Sequence, residues 1–186
     1  MAEVQANQEN SSQKSDIRTH LTYLSEGFRK LGSMPGAWAT EEFILRKGTL
    51  FKNPGNPEWV PMMEMKQCFR NAALLAYQRP GLKYAEGYIF RYMPILHGWC
   101  VDDEGNVIDP TIHDYDGDYL GVSFTLDEYF LETKKTNTAS VLNTDYGINI
   151  DLMLRMDPTL AELDPHLLEW QKQAAERGAN RKKPKK

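Results

Sequence analysis

The sequence predicts an α+β fold: a helix packed on a small antiparallel sheet, with further helices toward both ends of the chain. Three observations carry that expectation. Apolar residues recur at helical spacing from 69 to 77, β-prone stretches separated by turn residues fill 83 to 124, and helical patterns flank this centre on both sides. A chain of 186 residues with 41% hydrophobic and 26% charged side chains suits one soluble domain with tails. The expected division is a polar, disordered segment at 1–15, a single α+β domain at 16–178 and a basic tail at 179–186.

In chain order, residues 1–15 are rich in Gln, Asn, Ser and Glu and lack the apolar stretch of a secretory leader. Asp16 or Ser15 then caps a helix with Ile17, Leu21, Leu24 and Phe28 at helical spacing, stopping near Gly32. Between Ser33 and Pro61, prolines and glycines break the pattern and leave Phe43-Ile44-Leu45 and Thr49-Leu50-Phe51 as short strand candidates. Trp38 and Trp59 fall here; either can wall a cleft, although aromatic residues beneath loops more often anchor a core. After Pro61 a helix starts between Met62 and Gln67 and ends by Arg79, before Pro80-Gly81. Its apolar stripe is Phe69, Ala72, Ala73, Ala76 and Tyr77, widened by Leu74 and Leu75.

Lys83 to Tyr92 reads as a strand in which Glu86 needs a partner or an open end, either an ion pair with Arg70 or Arg91 or a contact with substrate. Ile95 to Val101 and Val107-Ile108 form a hairpin across Asp102 to Asn106, with Gly105 supplying a positive φ. If the turn centres on Glu104, Val101 pairs with Val107, Trp99 with Asp109 and His97 with Thr111, so the odd-numbered residues share one face. His113 to Asp118 is an acidic turn rather than a calcium loop, because its Gly is misplaced and no Glu closes a twelve-residue loop. Tyr119 to Phe124 is a strand extending the sheet beside the hairpin. Thr125, with Glu128 three residues on, caps a helix whose inner face is Tyr129, Phe130 and Thr133. Residues 134–147 are loop-like, with Val141-Leu142 as their apolar pair. Asn149-Ile150-Asp151 opens a short helix that Asp157-Pro158 ends. Asp164-Pro165 opens the last helix, with Leu167, Leu168, Gln171 and Ala175 on one face and Gly178 as its stop.

Cys68, His97 and Asp109 carry the chemistry this pattern suggests. A thiol in the first turn of a helix meets unpaired backbone N–H groups and the positive end of the helix dipole, both of which favour thiolate. In the expected register His97 and Asp109 lie diagonally across the ladder, about 7–8 Å apart at the backbone and closer at their tips. Each residue alone has a bland reading: a small buried hydrophobe, a structural histidine, a turn residue before Pro110. Their joint occurrence at a helix start, within a strand and at the end of its hairpin partner favours a nucleophile, its base and the group that orients the base.

These residues resemble the transglutaminase-like branch of the papain-like cysteine enzymes. The similarity lies in Cys68 at the start of a helix rich in small residues, then His97-Gly98-Trp99 on a strand, then Asp109-Pro110-Thr111 closing the next, over roughly residues 60 to 125. Gln67 and Phe69 stand where that family commonly has Trp or Gly beside the nucleophile. The resemblance implies a papain/transglutaminase-like fold and a thiol attacking an amide or other acyl carbon, with the acyl-enzyme resolved by water or an amine. In that chemistry the Cys68 backbone N–H, with Gln67 or more weakly Asn71, would hold the oxyanion. Trp99, Glu86 and Trp59 are the candidates for substrate contact, and the substrate is a peptide, a protein or a small amide. No metal or organic cofactor is required, and His20, His113 and His166 are too scattered for a zinc site. A Cys/His/Asp acetyltransferase using acyl-CoA, and an inactive binding module in which Cys68 merely packs, remain open alternatives.

Composition narrows the partners. A net charge of −4 argues against general nucleic-acid affinity, although the tail Arg181 to Lys186 can touch a nucleic acid or acidic partner as readily as it can remain a solvated end. No run of 18 apolar residues exists to span a membrane. Two cysteines, with Cys100 expected on the face opposite His97, point to a reducing compartment, the cytoplasm, rather than a disulfide framework.

Overall fold

The computed structural model describes residues 16–31, 36–145, 147–164 and 166–181. The expected disorder of 1–15 and the basic run 182–186 lie outside the described residues. Within them the fold is α+β, with six α-helices around an antiparallel five-stranded sheet. Among the described residues no helix is long and apolar enough to cross a membrane.

Helix α1 (Ile17–Leu31) starts where the Asp16 carboxylate accepts a hydrogen bond from the Arg18 N–H at 3.0 Å. Ile17, Leu21 and Ser25 are its buried positions, which leaves Phe28 at the rim. Arg18 reaches from α1 to the carbonyls of Leu45 and Gly48, satisfying acceptors at the end of α2 (Ala39–Lys47). That helix contains Phe43, Ile44 and Leu45 and overturns their expectation as a strand. Three β-prone residues are a weak signal against Glu41 and Glu42 in the first turn, Arg46 and Lys47 in the last, and a 2.7 Å Arg46–Glu42 pair one turn apart. Trp38 is a core anchor.

The sheet is built from β1 (Thr49–Phe51), β2 (Lys83–Phe90), β3 (Pro94–Val101), β4 (Val107–Ile108) and β5 (Tyr119–Phe124), in the order β1-β5-β2-β3-β4. Thus β5 lies between β1 and β2 rather than beside the β3–β4 hairpin, as the sequence had suggested. Beyond β1, Lys52 bridges to Asn106, and the Val107 N–H donates to the Lys52 carbonyl at 2.8 Å. The sheet therefore curls until its two edges meet.

Curling gives the sheet two apolar faces. The outer one, with Tyr84, Tyr88, Cys100, Leu120 and Val122, packs under the helices, including Ala72, Ala76 and Leu75 of α3 (Cys68–Gln78). The inner one joins Ala85, Ile89, Trp99, Val101, Val107 and Tyr119. Gly121 makes room inside, since a Cβ there would lie 2.6 Å from Trp99 Cη2.

Helix α4 (Leu126–Thr136) has the expected capping box, Thr125 accepting from the Glu128 N–H and Glu128 from the Thr125 N–H. Its buried face is Tyr129 and Glu132, with Phe130 half exposed against expectation. A two-stranded ladder of β6 (Asn143–Thr144) and β7 (Gly147–Ile148) interrupts the expected loop. Helix α5 (Ile150–Met156), capped by Asn149, leads through a 3-10 turn at Pro158–Glu162 to α6 (His166–Arg181). Gly178 does not stop α6, and Leu168 is exposed while Leu167 is buried. Pro165 and the Ala175 side chain lie outside the described residues.

Candidate active site

Helix α3 begins at Cys68 itself, with Lys66 at φ +68° and Gln67 as its N-cap. A non-glycine residue in the left-handed region makes a sharp turn that redirects the chain. Cys68 consequently occupies the first helical position, where backbone N–H groups have no intrahelical acceptor. It is only partly buried, whereas the second thiol, Cys100, is sealed and donates to the Ala72 carbonyl at 3.0 Å.

The hairpin takes the register expected of it. Val101 faces Val107 and Cys100 faces Ile108, after which β4 ends and the outer edge of β3 is left without a strand. The first turn of α3 fills that edge. At Gly98 a Cβ would lie 2.9 Å from Phe69 Cδ1 and 3.0 Å from Phe69 Cα, so only glycine lets the strand approach the helix start this closely. Gly98 thereby lets its neighbour His97 lie near enough to Cys68 for the thiol to help raise the imidazole pKa.

His97 and Asp109 are 3% and 1% exposed, and His97 Nε2 lies 2.7 Å from Asp109 Oδ2. With Nε2 engaged, Nδ1 is the nitrogen left for the sulfur. Burial is the largest influence on the imidazole and pulls its pKa down, but the hydrogen bonds and charges of Asp109 and Cys68 prevail and raise it to about 9. The Asp109 carboxyl shows the mirror image: burial pushes upward, while His97 and the N–H groups of Thr111 and Ile112 hold it below the usual carboxylate value.

Asp109 is clamped from several directions. Its Oδ1 accepts from the backbone N–H groups of Thr111 at 2.8 Å and Ile112 at 3.0 Å, and its Oδ2 accepts from the Tyr119 hydroxyl at 2.8 Å. Asn56 grips the backbone of Asp109, donating to its carbonyl at 2.6 Å and accepting from its N–H at 2.8 Å. The Met63 N–H donates to the Pro110 carbonyl, tying the segment before Cys68 to the segment that carries Asp109.

Of the other anticipated residues, Gln67 is exposed and makes no side-chain cap on the helix. Asn71 does not serve as an oxyanion donor. Its Nδ2 donates to the Glu64 carbonyl at 2.7 Å and to Thr111 Oγ1 at 3.0 Å, which fastens the nucleophile helix to the Asp109 segment instead. Trp99 is wholly buried within the curl, its ring plane within 18° of His97 at a centroid distance of 6.3 Å, and cannot touch substrate. Glu86 is equally sealed, on the outer face, and accepts from Tyr84, Ser140, Val141 and Leu142. The ion pair envisaged for it is not formed, since Arg91 pairs with Asp114 at 3.0 Å. Trp59 is 43% exposed, but it stacks on Arg79 at the C-cap of α3, the helix end opposite Cys68.

Among the described residues no group of three or more His, Cys, Asp or Glu side chains is placed to hold a metal ion. No protein-family model, curated protein or solved structure matches the chain.

Proposed function

We propose that the protein is a thiol-dependent acyl-group enzyme, an amide hydrolase or transglutaminase-type acyltransferase, with Cys68 as nucleophile, His97 as acid and base, and Asp109 as orienter, on a papain/transglutaminase-like fold. The observation that carries the reading is the order of contacts: a partly exposed thiol at a helix start, a sealed imidazole beside it, and a sealed carboxylate 2.7 Å behind that imidazole. A structural histidine has no need of a thiol beside it and a clamped carboxylate behind it.

The chemistry follows from those positions. In this reading the Cys68 sulfur passes its proton to His97, whose imidazole is held above its ordinary value by Asp109 and Cys68, and so becomes the nucleophile. The sulfur attacks the acyl carbon of the substrate, and the oxyanion that forms is stabilised by the Cys68 backbone N–H and the Gln67 amide. As the carbon–nitrogen bond breaks, the imidazolium gives its Nδ1 proton to the departing amine, leaving a thioester and a neutral ring. Water or a second amine then attacks the thioester, passing its proton to His97. The sulfur leaves, and the proton held by His97 is again shared with it as at the start of the cycle. Asp109 keeps Nε2 engaged throughout, which fixes the tautomer of the neutral ring.

Alkylation by iodoacetamide tests the pair without knowledge of the substrate. Cys68 in the native protein should react at least tenfold faster than free cysteine at pH 6, where a free thiol is almost entirely protonated. His97→Ala should abolish that advantage, lowering the rate by about tenfold or more to that of free cysteine. A native Cys68 that reacts no faster than free cysteine removes the catalytic reading.

A further inference from the structure

We propose that Tyr119 is a positioning residue of this site: its hydroxyl shares the Asp109 oxygen that holds His97, and so sets how strongly the carboxylate grips the imidazole. The inference rests on the catalytic reading above and adds a fourth residue to it. Each carboxylate oxygen offers two lone pairs, and on Asp109 all four are taken. Oδ1 receives the N–H groups of Thr111 and Ile112, while Oδ2 receives His97 Nε2 at 2.7 Å and the Tyr119 hydroxyl at 2.8 Å. Because Oδ1 is fixed by backbone, loss of the phenol would not turn the carboxylate. It would leave Oδ2 to His97 alone.

Tyr119 is held for this task in advance of any substrate. It belongs to β5, two strands away from β3 in the sheet, and reaches Asp109 only because the sheet curls. Its ring meets Trp99 edge-on at 5.1 Å and Tyr115 at 5.2 Å, with His97 at 6.4 Å. A buried position enclosed by aromatic rings would be filled as well by phenylalanine, and a hydroxyl sealed there is costly unless it is hydrogen-bonded. The titratable groups around the pair are few. His97 faces Cys68 from α3, Asp109 from the segment after β4 and Tyr119 from β5; Asp109 also acts through charge on the Cys100 thiol of β3, and Tyr119 in turn faces Tyr115 and, through charge, Arg91.

The test compares the wild type with Y119F and with 3-fluorotyrosine introduced at position 119, reading the pH profile of Cys68 alkylation and the NMR titration of the His97 ring. In Y119F the undivided carboxylate should hold the imidazolium proton longer, moving the His97 titration and the alkaline limb of the alkylation profile up by about half a pH unit. The fluorinated phenol is the stronger donor and should move both downward. A melting curve establishes that each protein is folded; should Y119F fail to fold, the fluorotyrosine protein carries the test alone. If neither substitution moves the titration while wild-type Cys68 outpaces free cysteine, Tyr119 only packs and the inference is overturned, with the catalytic reading intact. If wild-type Cys68 shows no advantage, the catalytic reading fails instead, and a His97 titration that still moves in opposite senses would support the shared oxygen independently.

Discussion

Asp109 and Glu86 are two sealed carboxylates on opposite faces of one curled sheet, and their surroundings match almost group for group. Asp109 accepts from two successive backbone N–H groups, one hydroxyl and an imidazole; Glu86 accepts from two successive backbone N–H groups and two hydroxyls. Burial pushes both upward, yet Glu86 ends above its ordinary value and Asp109 below it. The difference is the imidazole. Neutral donors solvate a buried charge only in part, whereas a cation 2.7 Å away offsets the loss of water. One carboxylate is a strut that fastens the 140–142 segment to β2, and the other is the sealed partner of an imidazole.

The strut should show the larger effect on folding. In Glu86→Ala four donors in a sealed site lose their acceptor, and the loss of unfolding free energy in urea should be about 3 kcal/mol. Cys68 in the folded fraction should keep its fast alkylation, since Glu86 touches neither His97 nor Asp109. Reactivity that collapses while the fold persists would mean the two carboxylates do not have separate roles.

Asp109→Asn should reverse that pattern. The isosteric amide keeps most of the packing but withdraws the negative charge from behind the ring, and it presents an N–H where Tyr119 and His97 both donate. Alkylation of Cys68 at neutral pH should fall about tenfold, the equivalent of roughly one pH unit in the stability of the ion pair. A variant that labels like wild type would reduce Asp109 to a turn residue.

The pair His97 and Asp109 was legible in the sequence because strand parity and one glycine turn determine it: Gly105 sets the loop, and every odd residue of the hairpin follows onto one face. Cys68 was legible because Pro61 and the apolar stripe bracket the helix start. Parity says which residues share a face but not which face is covered, so Trp99 and Glu86 looked available to substrate when the curl seals one and the helices seal the other. Tyr119 and Asn56 gave no local signal for their bonds to Asp109, because those contacts depend on the curl and on a loop 53 residues away. Asn71 had the right chemistry for an oxyanion donor, and only the positions of the Glu64 carbonyl and Thr111 reveal that its amide is spent. Phe43 to Leu45 misled because a three-residue apolar run fits either period.

The smallest effect expected is also the one that separates the two carboxylates most directly, through the pH dependence of stability. Asp109 has a folded-state value below its unfolded one, so its stabilisation is present above about 4 and is lost as pH falls through the depressed value. Glu86 has the opposite sign: the folded state keeps its proton longer, so its contribution is greatest in acid and declines as pH rises from 4.5 through the raised value. His97, raised from 6.5 to about 9, stabilises fully below 6.5 and loses that contribution as pH climbs through 9. The stability gap between wild type and Asp109→Asn should therefore be widest between about pH 4 and 6.5 and narrow on both sides. For Glu86→Ala the gap should be widest in acid and shrink steadily as pH rises. Urea unfolding of the three proteins from pH 3 to 10 reads both curves, and gaps that change in the same sense between pH 3 and 5 would show that the imidazole is not what sets the two sites apart.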